Sequence, residues 1–182
     1  MTQETAVNEK KGGRSFPKKN GKFDAIEEPV LTNFDRWGWT NIFEFANDGE
    51  IHNATLPMYA GAADCDLCKG SLVGNVTIEY TGGNLTVTYT VFETFVLEDI
   101  HLHVDAVDQL PTDADDVYTL APGQYGCGTS SQDDCTVSDG NTEYEFKATF
   151  TDVDPTFYIV AHAAVSGSTD DFSNNKDEDC FV

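Results

Sequence analysis

Apolar and polar residues alternate most regularly between Gly74 and Val91, where the sequence reads GNVTIEYTGGNLTVTYTV. The apolar members of the pattern are Val76, Ile78, Tyr80, Leu85, Val87, Tyr89 and Val91. A period of two places one set of side chains in a core and the other in water. Gly82 and Gly83 supply the positive φ that a tight reversal needs. The segment is therefore predicted to be a β-hairpin.

Seven or eight short strands, the two of the hairpin included, are predicted along the chain, separated by residues that favour turns. They lie near 38–46, 56–60, 72–80, 84–93, 95–106, 117–121, 143–150 and 157–166. The last of them is apolar on both faces, which is typical of a central strand. No segment keeps helical periodicity over three turns. The sequence predicts an all-β, antiparallel β-sandwich, either immunoglobulin-like or jelly-roll-like.

Charge divides the 182 residues into two parts. Residues 1–22 hold six bases and two acids, a net charge of +4, and the other 160 residues hold four bases and 30 acids, a net charge of −26. We predict a flexible basic arm over 1–33 and one acidic sandwich domain over 34–182. A body this acidic repels nucleic acid and anionic membranes, so neither is expected as a partner.

The excess of acid has two interpretations. It keeps a protein soluble in salt water without any specific site. It also offers oxygen ligands for calcium, the one cofactor that the sequence suggests. The candidate ligands cluster after one predicted strand and are Asp105, Asp108, Asp113, Asp115 and Asp116. No loop with the regular spacing of calcium ligands contains them.

The five cysteines favour an oxidising compartment. Cys127 and Cys135 flank a polar loop that a disulfide closes easily. Cys65 and Cys68 either pair with each other, or one of them pairs with Cys180. Because the number is odd, one thiol is left free, modified or bonded to another chain.

Three N-x-T sequons predict N-glycosylation at Asn53, Asn75 and Asn84. No apolar run is long enough to span a membrane, and no apolar segment of a signal peptide follows Met1. With the cysteines, the sequons favour a mature protein outside the cell or at its surface.

Catalytic and metal chemistry have weaker signals. Cys65, Cys68, His101 and His103 offer zinc ligands, but disulfides use the same thiols, and the two histidines alternate with apolar residues as solvent-facing strand residues do. His162 lies within the apolar central strand and is interpreted as a buried imidazole that is hydrogen-bonded to a neighbouring backbone carbonyl or tyrosine. No nucleophile motif is present, so an enzyme is not predicted.

Four blocks of sequence, in order, resemble a known kind of module. They are WGWTN (37–41), YAGAADCDLCKGSLVG (59–74), LAPGQYG (120–126) and YIVAHAAV (158–165). Together they resemble a β-sandwich module of secreted and surface proteins of marine and environmental bacteria. The resemblance covers about residues 36–167, and it implies an extracellular all-β domain without an assigned catalytic activity.

Two functions follow as hypotheses. The first is a non-enzymatic structural or adhesive subunit that self-associates, even into filaments, when the basic arm of one copy adds to the acidic body of another. The alternative interpretation of the arm is a flexible tail left from processing or cloning, without a role in assembly. The second function is a calcium-assisted carbohydrate-binding module that stacks glycans on Trp37 and Trp39.

Overall fold

The computed structural model describes residues 2–7, 14–17, 39–46, 49–62, 66–106, 119, 121–130 and 132–174. These residues form eleven strands, two single turns of 3-10 helix at Leu67–Lys69 and Pro122–Gln124, and one short helix, α1, at Thr169–Asn174. The strands are β1 (Thr2–Val7), β2 (Arg14–Pro17), β3 (Trp39–Glu44), β4 (His52–Ala60), β5 (Ser71–Thr81), β6 (Asn84–Val91), β7 (Val96–Asp105), β8 (Cys127–Gly128), β9 (Thr136–Val137), β10 (Glu145–Phe150) and β11 (Thr156–Ser166).

The first sheet is built on the predicted hairpin. Its strand order is β4-β5-β6-β10-β9, and every neighbouring pair is antiparallel. The turn at Gly82-Gly83 has positive φ at both glycines, as the pattern predicts. All seven apolar residues of the alternation are buried, and most have no exposed surface. The hairpin prediction is confirmed.

The second sheet is built on β11, the strand that is apolar on both faces. One edge of β11 pairs with β7, which carries β8 on its far side. The other edge pairs first with β3 and then with β1. A central position for this strand was predicted, and the pairing on both edges confirms it.

One core lies between the two sheets. It contains aromatic and aliphatic side chains from both, among them Phe43, Ile78, Tyr80 and Phe157. The rings of Phe43 and Phe157 stack with centroids 5.5 Å apart. Burial of such side chains contributes about 1.5–3 kcal/mol each, which makes this core the main source of stability. The all-β sandwich is confirmed.

Helix α1 closes one end of the core. Ser168 caps it, because its hydroxyl accepts from the Asp171 backbone N–H at 3.1 Å while the Asp171 carboxylate accepts from the Ser168 backbone N–H at 3.1 Å. The reciprocal cap holds Phe172 against Phe95, with ring centroids 5.0 Å apart. The Ser71 hydroxyl donates to the Phe172 carbonyl and ties the helix to β5.

Some elements differ from the predicted set. Of the strand predicted at 117–121, only Thr119 and Ala121 are described, and neither lies in a strand. The two-residue strands β8 and β9 are too short to leave an alternation in the sequence. Within 1–33, the region predicted as a flexible arm, β1 and β2 are paired strands.

Candidate functional site

The N-terminal strand β1 fills a slot between the two sheets. Residues Thr2–Ala6 pair with His162–Ser166 of β11, and Thr5–Val7 pair with Met58–Ala60 of β4. Both pairings are antiparallel, so β1 completes two strand edges at once. Hydrogen bonding therefore runs without a break from one sheet to the other.

The walls of this slot are deeply buried. With β1 in place, Met58, Ala163 and Val165 are completely inaccessible, and Tyr59 and Ala60 are nearly so. Backbone N–H and C=O groups in such surroundings must be paired, since leaving one unsatisfied costs about 1–3 kcal/mol. Strand β1 supplies backbone pairing partners to both walls of the slot.

Three imidazoles meet on the outer face of β7 and β11. His101 lies directly opposite His162, and their ring centroids are 5.7 Å apart. Tyr125 packs over His101 and His103, with centroids 6.4 Å and 6.3 Å away. The His101 side chain is only 13% exposed, so the expectation that it faces solvent is wrong. Tyr125, in a segment without alternation, covers it.

Asp99 orients this group from the same strand. Its carboxylate lies 3.0 Å from His101 Nε2 and also accepts from the Thr129 hydroxyl. The Thr129 hydroxyl in turn accepts from the Ile100 backbone N–H at 3.2 Å. These contacts hold the loop after β8 against the sheet. Both ring nitrogens of His162 are buried, which agrees with its interpretation as a buried imidazole, but the ring lies on the outer face of β11 and not in the core between the sheets.

Tyr89 connects the hairpin to this region from the inside. Burial raises the pKa of its phenol well above the usual value, and the nearby Tyr125 phenol raises it further. The phenol therefore stays protonated and donates to the His101 backbone carbonyl at 3.4 Å. The contact crosses the core, so β6 of the first sheet is tied to β7 of the second.

The cysteine pair predicted from its loop is confirmed. Cys127 and Cys135 form a disulfide with their Cα atoms 5.6 Å apart. Cys68 is also disulfide-bonded, while Cys65 and Cys180 lie outside the described residues. A bonded Cys68 is no thiolate ligand, so the zinc hypothesis that needs it is wrong.

The calcium and glycan-stacking predictions fall mostly outside the described residues. Asp105 ends β7, but Asp108, Asp113, Asp115 and Asp116 are not among the residues described. The same holds for Trp37 and for the side chain of Trp39. In the part of the chain that is described, no three His, Cys, Asp or Glu side chains are arranged to hold a metal ion.

The three sequons lie on one face of the first sheet. Asn53, Asn75 and Asn84 each occupy an outward position, because the residue after each of them points into the core or toward it. Asn53 and Asn84 are exposed, whereas Asn75 is half-buried. The surrounding outward residues are short, mainly threonines at 55, 77, 86, 88 and 90.

Comparisons with protein-family models, with curated proteins and with solved structures found no match for this chain. None of the helices among the described residues has the length and apolarity to cross a membrane. Of the features above, sequence reasoning missed the slot. The sequence does not reveal it, because the strand that fills the slot, TQETAV, shows no alternation and resembles an unstructured tail.

Proposed function

We propose that the protein is a non-enzymatic structural or adhesive subunit outside the cell, and that copies join by exchanging strand β1. The observation that carries the proposal is the position of β1 between β4 and β11, where one short terminal segment completes two buried strand edges. Such a slot is filled equally well by the same six residues of another copy, because the paired backbone groups are identical.

The connections of β1 suit exchange. Six residues, 8–13, separate β1 from β2, and 21 residues, 18–38, separate β2 from β3. Extended chain covers up to about 3.5 Å per residue, so the six-residue connection reaches about 20 Å while β2 stays paired with β3, and the longer connection reaches about 70 Å when β2 leaves β3 together with β1. An arm of this length can enter a neighbouring slot as easily as its own. Whether an arm docks in its own slot or in that of a neighbour then depends on protein concentration and linker geometry rather than on new contacts.

Charge affects the exchange in two opposite ways. The +4 of residues 1–22 contrasts with the −26 of the remainder, so each arm is attracted to any copy's body while the bodies repel one another. The attraction weakens as salt screens it. Salt also screens the repulsion between bodies, which carry the larger charges, so exchange between copies is expected to increase as the ionic strength is raised from a low value.

The contact made by exchange is heterologous, because donor strand and acceptor slot are different surfaces. Contacts of this kind produce open chains unless the rotation happens to close a ring. A filament is the outcome we propose. The Cys127–Cys135 disulfide supports the extracellular setting, since structural disulfides persist in oxidising compartments.

The test uses two variants of the full chain, each with one added cysteine. Thr2 and Ser166 are register partners across β1 and β11, so one sample carries Thr2→Cys and the other carries Ser166→Cys. After the two are mixed and mildly oxidised, exchange yields a covalent dimer that links residues 2 and 166, identified by peptide mass spectrometry. The matched control replaces the acceptor by Thr149→Cys, on the far sheet.

Removal of residues 2–7 provides the second measurement. We expect the wild type to form particles larger than a monomer in size-exclusion chromatography and electron microscopy, and the deletion variant to lose them. The proposal is overturned if the wild type is monomeric at millimolar concentration and physiological ionic strength. It is also overturned if the Thr2→Cys sample cross-links equally to the Ser166 and Thr149 variants.

A further inference from the structure

The structure distinguishes the three sequons by their place in the strands. Asn53 is the second residue of β4, and Asn84 is the first residue of β6, directly after the glycine turn. Asn75 lies inside β5, where its register partners are Pro57 on one side and Thr90 on the other. The same motif therefore occurs twice at strand ends and once in mid-sheet.

Asn53 and Asn84 share one corner of the first sheet. Asn53 is paired with Glu79, and Asn84 is paired with Thr81, so the two asparagines flank the end of β5. Two interstrand spacings, combined with the two-residue offset between Glu79 and Thr81 along β5, put them about 12 Å apart. The Thr81 hydroxyl donates to the Gly49 carbonyl at 3.3 Å, which brings the turn before β4 to the same corner.

We propose that Asn53 and Asn84 carry N-linked oligosaccharides and that Asn75 does not. In the transfer, the side-chain nitrogen of asparagine forms a bond to the anomeric carbon of a sugar. The bond between that carbon and a phosphate oxygen of a polyprenyl-diphosphate donor breaks, the diphosphate leaves, and the amide loses one proton. The donor and its membrane transferase come from the secreting cell.

Access to the amide nitrogen is the physical basis of the distinction. Both strand-end asparagines are exposed and adjoin turns, where local opening costs least. The Asn84 side-chain nitrogen makes only a long hydrogen bond, 3.4 Å, to the Thr81 carbonyl. A glycosylated amide retains one N–H and can keep that bond.

Asn75 lacks these advantages. It is half-buried, and it lies well inside the hairpin with a paired strand on each side, whereas Asn84 of the same hairpin adjoins the turn. Hairpins of this kind form in about 1–10 μs, so the sequon is held in paired backbone soon after it leaves the ribosome or translocon. Reaching its amide then requires separation of β5 from β4 or β6 rather than the fraying of a strand end.

The glycan corner lies away from the assembly slot. On β4 the slot begins at Met58, five residues from Asn53, which corresponds to about 17 Å along the strand. Sugars at this corner would therefore shield one end of the first sheet and leave the β1 exchange unhindered. The glycosylation proposal does not depend on the exchange, and either can fail without the other.

The experiment secretes the full chain, behind a cleavable leader, from a eukaryotic cell and measures the intact mass and the sugar on each sequon peptide. We expect two sugar additions, one lost in Thr55→Val and one lost in Thr86→Val, since each change removes a sequon hydroxyl and leaves the asparagine. Thr88→Val, on the same face but outside any sequon, is the control and should keep both.

Thr77→Val removes the third sequon and should leave the mass of the attached sugar unchanged. Retention of the melting temperature in each variant excludes misfolding as the cause of a loss. The proposal is overturned if Asn53 or Asn84 carries no sugar in the wild type, or if Asn75 is modified to a similar extent. Sugar on both strand-end sites with an unmodified Asn75 supports it.

Discussion

The β5–β6 hairpin and strand β1 both contribute paired strands to the sandwich, but their partners lie at different distances along the chain. Thr81 of β5 pairs with Asn84, three residues later. Thr5 of β1 pairs with Ala60 and with Ala163. The entropy lost in closing a loop grows with its length, and distant pairings form late. We therefore expect the hairpin to form early and β1 to dock last.

The two regions also differ in what holds them. The hairpin buries an alternating apolar set in the core, so its strands cannot leave without exposing that set. Strand β1 is held by backbone pairing in a slot whose buried walls, such as Met58 and Ala163, belong to other strands. The comparison teaches that a strand can complete a sheet through pairing with distant segments alone, and this is why we propose β1, and not the hairpin, as the exchanged strand.

Proline in the middle of each strand should produce the largest difference in stability between the hairpin and β1. Thr77 and Thr5 are the same residue type, and each lies between two neighbouring strands. Proline removes an N–H and leaves its partner carbonyl unpaired. We expect Thr77→Pro to lower the free energy of unfolding by more than about 3 kcal/mol, or to prevent folding, since it disrupts the core hairpin.

Thr5→Pro should cost about 1–3 kcal/mol, because the entropy regained by the freed arm, about 1–2 kcal/mol per residue, offsets the lost pairing. Urea denaturation measures both. A free peptide of residues 2–7 should restore the loss in a variant that lacks its own β1, and a peptide of residues 74–91 should not restore Thr77→Pro. Equal losses of stability in the two proline variants, without rescue by the peptide of residues 2–7, would show that β1 is as necessary to the fold as the hairpin.

Gly74 allows a smaller change within the hairpin. A Cβ at this position would lie 2.1 Å from the Thr90 carbonyl oxygen and 2.8 Å from the Val91 Cα, both in the backbone of β6. The strands must separate to admit it, so we expect Gly74→Ala to cost about 1–3 kcal/mol. At Gly140, where the nearest atom is the Ser138 hydroxyl at 3.7 Å, Ala should change stability by less than about 0.5 kcal/mol.

Urea midpoints with unchanged m-values for both glycine variants would show that only stability differs. If Gly74→Ala proved as harmless as Gly140→Ala, the close approach of β5 to β6 would not be a constraint. The hairpin would then be more tolerant than its core suggests, and its contrast with β1 would weaken.

The fold was predictable where the pattern is local. Alternation on both sides of Gly82-Gly83 identifies the hairpin, and the apolar run through Ile159 and Val160 identifies a central strand. The Cys127–Cys135 disulfide follows from its short loop. In each case the residues that determine the structure are neighbours in sequence.

The slot and the histidine group could not be predicted in this way. Strand β1 owes its conformation to β4 and β11, and nothing in TQETAV encodes them. His101 alternates like a solvent-facing residue, and its burial depends on Tyr125, which arrives from a segment without a pattern. Tertiary context decides such positions, and propensity and periodicity do not report it.

The smallest expected effect concerns the hairpin and is a change in stability at alkaline pH. Tyr89 of β6 is buried, and burial raises the pKa of its phenol well above the usual value of 10.0. Below pH 10 both folded and unfolded chains keep this proton. Above it the unfolded chain loses the proton and the folded chain does not, so stability falls as pH rises, by about 1.4 kcal/mol per pH unit.

Tyr89→Phe removes this group, and we expect its stability curve between pH 10 and 11 to fall less steeply than that of the wild type by about that amount per pH unit. Tyr144→Phe is the control. The pKa of Tyr144 is also raised, by a hydrogen bond with Glu143, but its phenol is exposed and its slope should change less. Identical alkaline slopes for wild type and Tyr89→Phe would mean that the phenol is not sealed between the sheets. The hydrogen bond from the Tyr89 phenol to the His101 carbonyl would then be accessible to solvent, and the contrast between a sealed hairpin and strand β1 would weaken.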